Sequence, residues 1–165
     1  MTVYFNLAYG SNMSSNRLLA RLPNAKRIGV AMVEGYKLAY HKKGFDDSGK
    51  CDAYYTGDKN DILLGVLYQI TAEEKAILDQ IEGPRYSICN LTVKHESGEH
   101  FDAYCYVANT LDHSLLPYDW YLQHVIAGAK EAQLPEHYVT KICQQVTQVD
   151  PDSERSQREF LIHKK

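Results

Sequence analysis

Alternating apolar and polar positions dominate the first two thirds of the chain, whereas apolar residues recur every three or four positions in the last third. Thr2 to Ala8 is rich in β-branched and aromatic residues and runs into Tyr9-Gly10-Ser11-Asn12, predicting a strand and a tight turn. Leu18, Leu19 and Leu22 then recur at helical spacing, with Ser14, Ser15 or Asn16 available as the cap and Pro23-Asn24 as the stop. Ile28 to His41 alternates on either side of Gly35 and reads as two strand halves joined by a kink or bulge. Lys42 to Lys50, with two glycines and several charges, reads as a mobile loop. Asp52 to Thr56 and Ile62 to Ile70 are the next strands, and the second is so uniformly apolar that it belongs at the centre of its sheet.

Thr71-Ala72-Glu73-Glu74 has the spacing of a capping box, Ala76, Ile77, Leu78 and Ile81 supply an apolar face, and Gly83-Pro84 ends the helix. Tyr86 to His95 and His100 to Ala108 flank the four-residue loop Glu96-Ser97-Gly98-Glu99 as a hairpin. Two helices follow, with Pro117 and Pro135 placed at their first positions. Strands first and helices last make the class α+β, a curved or barrel-like sheet with helices outside it. Neither alternating βα units nor a G-x-G-x-x-G or P-loop spacing occurs, so no nucleotide cofactor is expected. The folded domain is expected over residues 1–150, and residues 151–165 form a polar C-terminal tail whose one apolar patch is Phe160-Leu161-Ile162.

Composition narrows the partners. Of 165 residues, 44% are hydrophobic and 24% charged, as in a folded globular chain, and the formal net charge of −3 gives no reason to expect nucleic acid or an anionic membrane. No apolar run is long enough to span a bilayer and the start lacks a signal peptide's basic flank, so a cytoplasmic location is expected. Four cysteines without a C-x-x-C spacing fit free thiols in a reduced compartment. Thirteen of the 18 aromatic residues are tyrosines, so the walls of this protein are both apolar and hydrogen-bonding.

Two places stand out chemically. The turn Tyr9-Gly10-Ser11-Asn12 aims backbone amides outward beside a glycine, which makes either an anion cradle or a plain capped turn whose Gly10 serves only its φ angle. Glu82 sits in the last turn of a helix, where the macrodipole disfavours a negative charge. If it faces an interior, burial raises its pKa toward that of a general base; otherwise it is a solvated glutamate at a frayed end. Asp79, three residues earlier, is a conceivable second carboxylate. His95 and His100 lack a third ligand and read as solvated strand ends, so no metal is expected. Ser11 lacks the G-x-S-x-G setting of a nucleophilic serine. The basic clusters Lys26-Arg27 and His41-Lys42-Lys43 read as solvated faces, and the pairs Tyr36/Tyr40 and Tyr104/Tyr106 as packing with hydroxyls reaching water.

Leu7-Ala8-Tyr9-Gly10-Ser11-Asn12-Met13 resembles the Y-G-S-N loop of the γ-glutamylcyclotransferase family, and Leu78-Asp79-Gln80-Ile81-Glu82-Gly83 resembles its L-D-x-x-E-G. Tyr121, followed by Gly128-Ala129-Lys130-Glu131 and Leu134-Pro135, is similar to the family's C-terminal helical region. The resemblance implies a small mixed β-barrel with flanking helices. It also implies a cofactor-free intramolecular acyl transfer, in which the α-amine of a γ-glutamyl compound attacks its own γ-carbonyl and releases 5-oxoproline. Carried onto this chain, Glu82 is the acid/base, Tyr9, Gly10, Ser11 and Asn12 form the substrate cradle, and Tyr121 contacts substrate; Tyr86 is a further substrate-binding candidate. The expected partner is a small γ-glutamyl amino acid or amine, and a monomer or homodimer suffices. The short connection Gly83-Pro84-Arg85 departs from some branches of the family and leaves the leaving group undefined; Arg85 meets a substrate carboxylate or is solvated. The competing expectations are a catalytically silent pocket for a small acidic metabolite and a hydrolase that yields free glutamate.

Overall fold

The computed structural model describes residues 2–163. In chain order the elements are β1 (Val3–Ala8), a 3₁₀ turn (Ser11–Met13), α1 (Ser15–Arg21), β2 (Lys26–Glu34), β3 (Tyr36–Lys43), β4 (Gly49–Tyr55) and β5 (Ile62–Thr71). They continue with α2 (Ala72–Glu82), β6 (Tyr86–His95), β7 (His100–Ala108), α3 (Asp119–Glu131), α4 (Glu136–Cys143), α5 (Ser153–Phe160) and a final 3₁₀ turn (Leu161–His163). Five strands close into a barrel in the order β1-β5-β2-β6-β7, and β3 and β4 form a separate two-stranded sheet. The barrel closes where β1 runs parallel to β7, at Asn6 opposite Tyr104, while its other pairings are antiparallel. That single parallel contact closes the barrel and gives it its mixed character.

Strand β5 is paired on both sides, by β1 and β2, and buries Leu63, Val66, Leu67, Tyr68 and Ile70, as its apolar run requires. The two halves around Gly35 are not one kinked strand. Gly35 adopts φ +85° and sends the chain from the barrel into the second sheet, and the bulge lies earlier, between Arg27 and Gly29. The segment expected as a mobile loop is strand at both ends, where Lys42 pairs with Lys50 and Lys43 with Gly49, and residues 44–48 form the hairpin turn between β3 and β4. Its glycines have a packing reason: a Cβ on Gly49 would lie 2.2 Å from the Tyr40 carbonyl oxygen, and one on Gly44 2.8 Å from that of Ser48.

Helix α2 carries the full capping box, with the Thr71 hydroxyl accepting from the Glu74 amide and the Glu74 carboxylate accepting from the Thr71 amide. It ends at Gly83, whose φ is +78°. The prolines sit just outside the next two helices rather than at their first positions. Tyr118 caps α3 and Pro135 itself caps α4. Tyr118 is held outside the helix by a parallel bridge to Gln148, whose amide donates to the Pro117 carbonyl.

The polar segment after Pro151 folds into α5, which packs Phe160 against the core and is otherwise docked by charge. Arg17 reaches Glu159 at 2.6 Å, and Arg155 makes two 2.6 Å bonds to the buried carboxylate of Asp150, which also accepts from Trp120 Nε1 at 2.8 Å. Several tyrosine hydroxyls expected to reach water are bonded inside: Tyr106 donates to Asp79, Tyr104 meets Tyr106, and Tyr36 lies 3.7 Å from Cys89 Sγ. The Tyr40 hydroxyl is buried with no hydrogen-bond partner among the described residues. Among the described residues no helix is long and apolar enough to cross a membrane.

Candidate active site

The turn after β1 and the last turn of α2 meet at the mouth of the barrel. Asn12 is the link: its Nδ2 donates to Glu82 Oε1 at 3.0 Å, while its Oδ1 accepts from Arg21 Nη1 at 3.4 Å. With its oxygen facing the guanidinium, the Asn12 amide can only present its nitrogen to the carboxylate. Glu82 is half-buried there, and burial raises its pKa above the ordinary glutamate value. The positive charges of Arg21, Lys42 and Arg17 and the Asn12 hydrogen bond pull partly in the other direction. The solvated-glutamate reading is therefore set aside.

Three tyrosines and one cysteine build the wall facing Glu82. The Cys51 amide donates to the Tyr121 hydroxyl at 3.0 Å, and the Tyr86 hydroxyl donates to the Cys51 carbonyl at 2.6 Å, so both backbone groups of Cys51 are committed to tyrosines. Tyr9 donates to the Tyr106 carbonyl. Tyr9 and Tyr86 have thus spent their protons on backbone, whereas the Tyr121 hydroxyl is the acceptor in its bond to the Cys51 amide. Burial raises the pKa of all three, so each stays neutral near pH 7.

These groups enclose a narrow recess of about 40 Å³, bounded by Tyr9, Ser11, Asn12, Cys51, Glu82 and Tyr121 among others. The recess opens into a basin of about 530 Å³, and Ser11, Glu82, Tyr86 and Tyr121 belong to both. All seven residues singled out in the sequence, namely Tyr9, Gly10, Ser11, Asn12, Glu82, Tyr86 and Tyr121, border the recess. Gly10 is required for a reason other than either one proposed from sequence. Its φ is −117°, and a Cβ there would lie 2.8 Å from Cys51 Cβ, so the glycine lets the turn press against β4.

Other expectations change. Asp79 does not join Glu82 but bonds Lys75 at 2.8 Å and accepts from Tyr106. Arg85 neither is solvated nor faces the basin: its Nη1 donates to the carbonyls of Lys43 and Gly44 at 3.2 and 3.0 Å, and its guanidinium stacks 3.9 Å over Phe45. His95 bonds Ser97 and the Ile28 carbonyl and organises its hairpin. Among the described residues no group of three His, Cys, Asp or Glu is arranged to hold a metal ion. Lys42, read as part of a solvated cluster, is only 4% exposed and lines the basin, its ammonium 4.2 Å from the centre of the Tyr86 ring. Simple strand alternation does not carry that signal, because β3 is irregular between Ala39 and Lys42. Arg155 and Arg158 of α5 also line the basin and were invisible in a segment taken for a tail.

Comparison with known proteins places these features in context. A family model described as the AIG2-like family matches residues 62–142, which include Glu82, Tyr86 and Tyr121. The bovine γ-glutamylcyclotransferase is 27% identical over 150 residues, an alignment covering 85% of this chain and 76% of the bovine one. An uncharacterised human protein of known structure superposes with a TM-score of 0.81 at 23% identity, over 94% of this chain and 98% of its own. A solved γ-glutamyl cyclotransferase superposes with a TM-score of 0.80 at 21% identity, over 95% and 99%.

Proposed function

The chain is γ-glutamylcyclotransferase-like in sequence and in fold, and on that premise we propose that it converts γ-glutamyl amino acids or amines to 5-oxoproline and the free amino acid or amine, with Glu82 as the acid/base. The observation that carries this reading is the placement of Glu82. Its carboxylate, of raised pKa, stands where the recess meets the basin, steadied by Asn12 and beside the hydroxyl-bearing wall of Tyr86 and Tyr121.

The chemistry asks little more of the protein. The ionised Glu82 takes a proton from the substrate's α-ammonium, and the resulting amine attacks the γ-carbonyl of the same molecule. A five-membered ring forms and the carbonyl oxygen becomes an oxyanion, for which Tyr121 and the first amides of the Ser11–Met13 turn are the donors this reading assigns. Glu82 returns its proton to the departing nitrogen, the C–N bond breaks, and the second proton of the ring nitrogen follows the same route. No proton is gained or lost overall. Nucleophile and electrophile share one molecule, so the walls contribute chiefly by folding the substrate into reactive geometry.

The test is release of 5-oxoproline from γ-glutamyl-alanine by the purified protein. Glu82→Gln should lose this activity by about 100-fold or more, as when a general base is removed, while still folding. Undiminished turnover in Glu82→Gln rejects the mechanism. Free glutamate as the sole product identifies a hydrolase, and no product from any γ-glutamyl compound leaves a binding module.

A further inference from the structure

The basin beyond Glu82 is lined by six cationic side chains, Arg17, Arg21, Lys42, Lys50, Arg155 and Arg158, against three carboxylates, Asp46, Glu82 and Glu159. Three of the cations are already neutralised: Arg17 by Glu159 at 2.6 Å, Lys50 by Asp46 at 2.9 Å, and Arg155 by Asp150 at 2.6 Å. Among the described residues Lys42, Arg21 and Arg158 make no salt bridge, and Glu82 is the one basin carboxylate that pairs with no cation.

Lys42 is the most unusual of the three. It is 4% exposed, and its ammonium makes no hydrogen bond among the described residues. It lies over the Tyr86 ring at 4.2 Å with its remaining accessible face toward the basin. The ammonium has three donors and no acceptor among the described residues, and the ring face on one side leaves those donors free for an anion in the basin. Arg21 spends one weak bond of 3.4 Å on Asn12 and is otherwise unengaged. The wall therefore presents three unpaired positive charges to one catalytic carboxylate, in a space large enough for an amino-acid-sized group.

We propose that this basin is a subsite for a negatively charged leaving group. In it Lys42, supported by Arg21, receives the carboxylate of the departing amine, so that γ-glutamyl amino acids, and dicarboxylic ones above all, are preferred to γ-glutamyl amines. This deepens the cyclotransferase reading and rests on it for the orientation of the substrate. The glutamyl part of every such compound carries the same α-carboxylate, so discrimination among them reports the leaving side alone.

The probes are γ-glutamyl-glutamate, γ-glutamyl-alanine and γ-glutamyl-propylamide, titrated calorimetrically into Glu82→Gln protein so that binding is read without turnover. The first should bind roughly tenfold or more tighter than the last, the increment expected for a hydrogen-bonded charge pair, with γ-glutamyl-alanine between. Adding Lys42→Met should bring that ratio to within about threefold, Lys42→Arg should keep most of it, and Arg21→Gln should lower it. If Lys42→Met does not fold, raising the salt concentration on the parent must compress the ratio instead, since the preference is electrostatic. Equal affinity for all three probes, a ratio untouched by Lys42→Met, or no binding of any probe overturns the proposal. Charge-selective binding in a chain that makes no 5-oxoproline keeps the subsite and rejects the cyclotransferase reading, so the two failures are distinguishable.

Discussion

Replacing Gly10 by alanine tests the contact on which the site is built. The added Cβ would sit 2.8 Å from Cys51 Cβ and 3.0 Å from its Sγ, against an ordinary carbon–carbon approach of about 3.5–4.0 Å. Neither side can retreat freely. The Cys51 amide and carbonyl are tied to Tyr121 and Tyr86, and the Gly10 turn is held on one side by Tyr9 bonding the Tyr106 carbonyl and on the other by Asn12 bonding Glu82. Overpacking of this kind costs about 1–3 kcal/mol, which at roughly 2–4 °C per kcal/mol for a chain of this length lowers the melting midpoint by about 2–12 °C. Activity should fall further than stability, because Tyr121 Oη lies only 3.8 Å from the new atom and small displacements near reacting groups are expensive. Thermal unfolding followed by circular dichroism, repeated in a Cys51→Gly background, isolates the contact: there Gly10→Ala should cost much less. An unchanged midpoint, or the same cost in both backgrounds, refutes the argument that close packing against Cys51 is what requires glycine.

Four other outcomes follow from the same structure. Burial raises the Glu82 pKa and Arg21 lowers it, so Arg21→Gln should move the acid limb of kcat/KM to higher pH; a limb that stays or moves down rejects the assigned role. A carboxylate raised on folding destabilises the folded state once ionised, so Glu82→Gln should melt no lower than the parent at pH 7, and a clear drop would contradict the sign. Tyr121→Phe leaves the buried Cys51 amide without its acceptor, costing about 1–3 kcal/mol, and also removes a proton donor, so turnover should fall by more than the stability loss accounts for. Burial lowers the His124 pKa to about 4, and its hydrogen bond to His124 lowers that of Glu159 to about 2. Both contributions are complete above the unfolded values and are lost as pH falls, so the melting midpoint should decline from about pH 6.5 downward, and His124→Gln should flatten the upper part of that decline. An identical decline in His124→Gln would show that other groups set it.

Local pattern was enough to locate most of the elements of this protein and both halves of its candidate site. The capping box at Thr71, the stop at Gly83-Pro84, the apolar β5 and the hairpin at Glu96–Glu99 are each decided by neighbours in sequence, and the structure bears them out. The oddity of an acidic residue in the last turn of α2 was likewise visible from helix electrostatics alone. What sequence spacing does not encode is which distant segments meet. That Gly10 answers to Cys51, that Gly35 moves the chain between sheets, and that Tyr9 and Tyr86 spend their protons on backbone follow from how the barrel and the β3–β4 sheet pack residues far apart in the chain. Lys42 and α5 were misjudged for one shared reason. Charged residues read as solvated unless something buries them, and here the burying partners, the Tyr86 ring for Lys42 and Arg17 and Asp150 for α5, are brought up only by the tertiary structure.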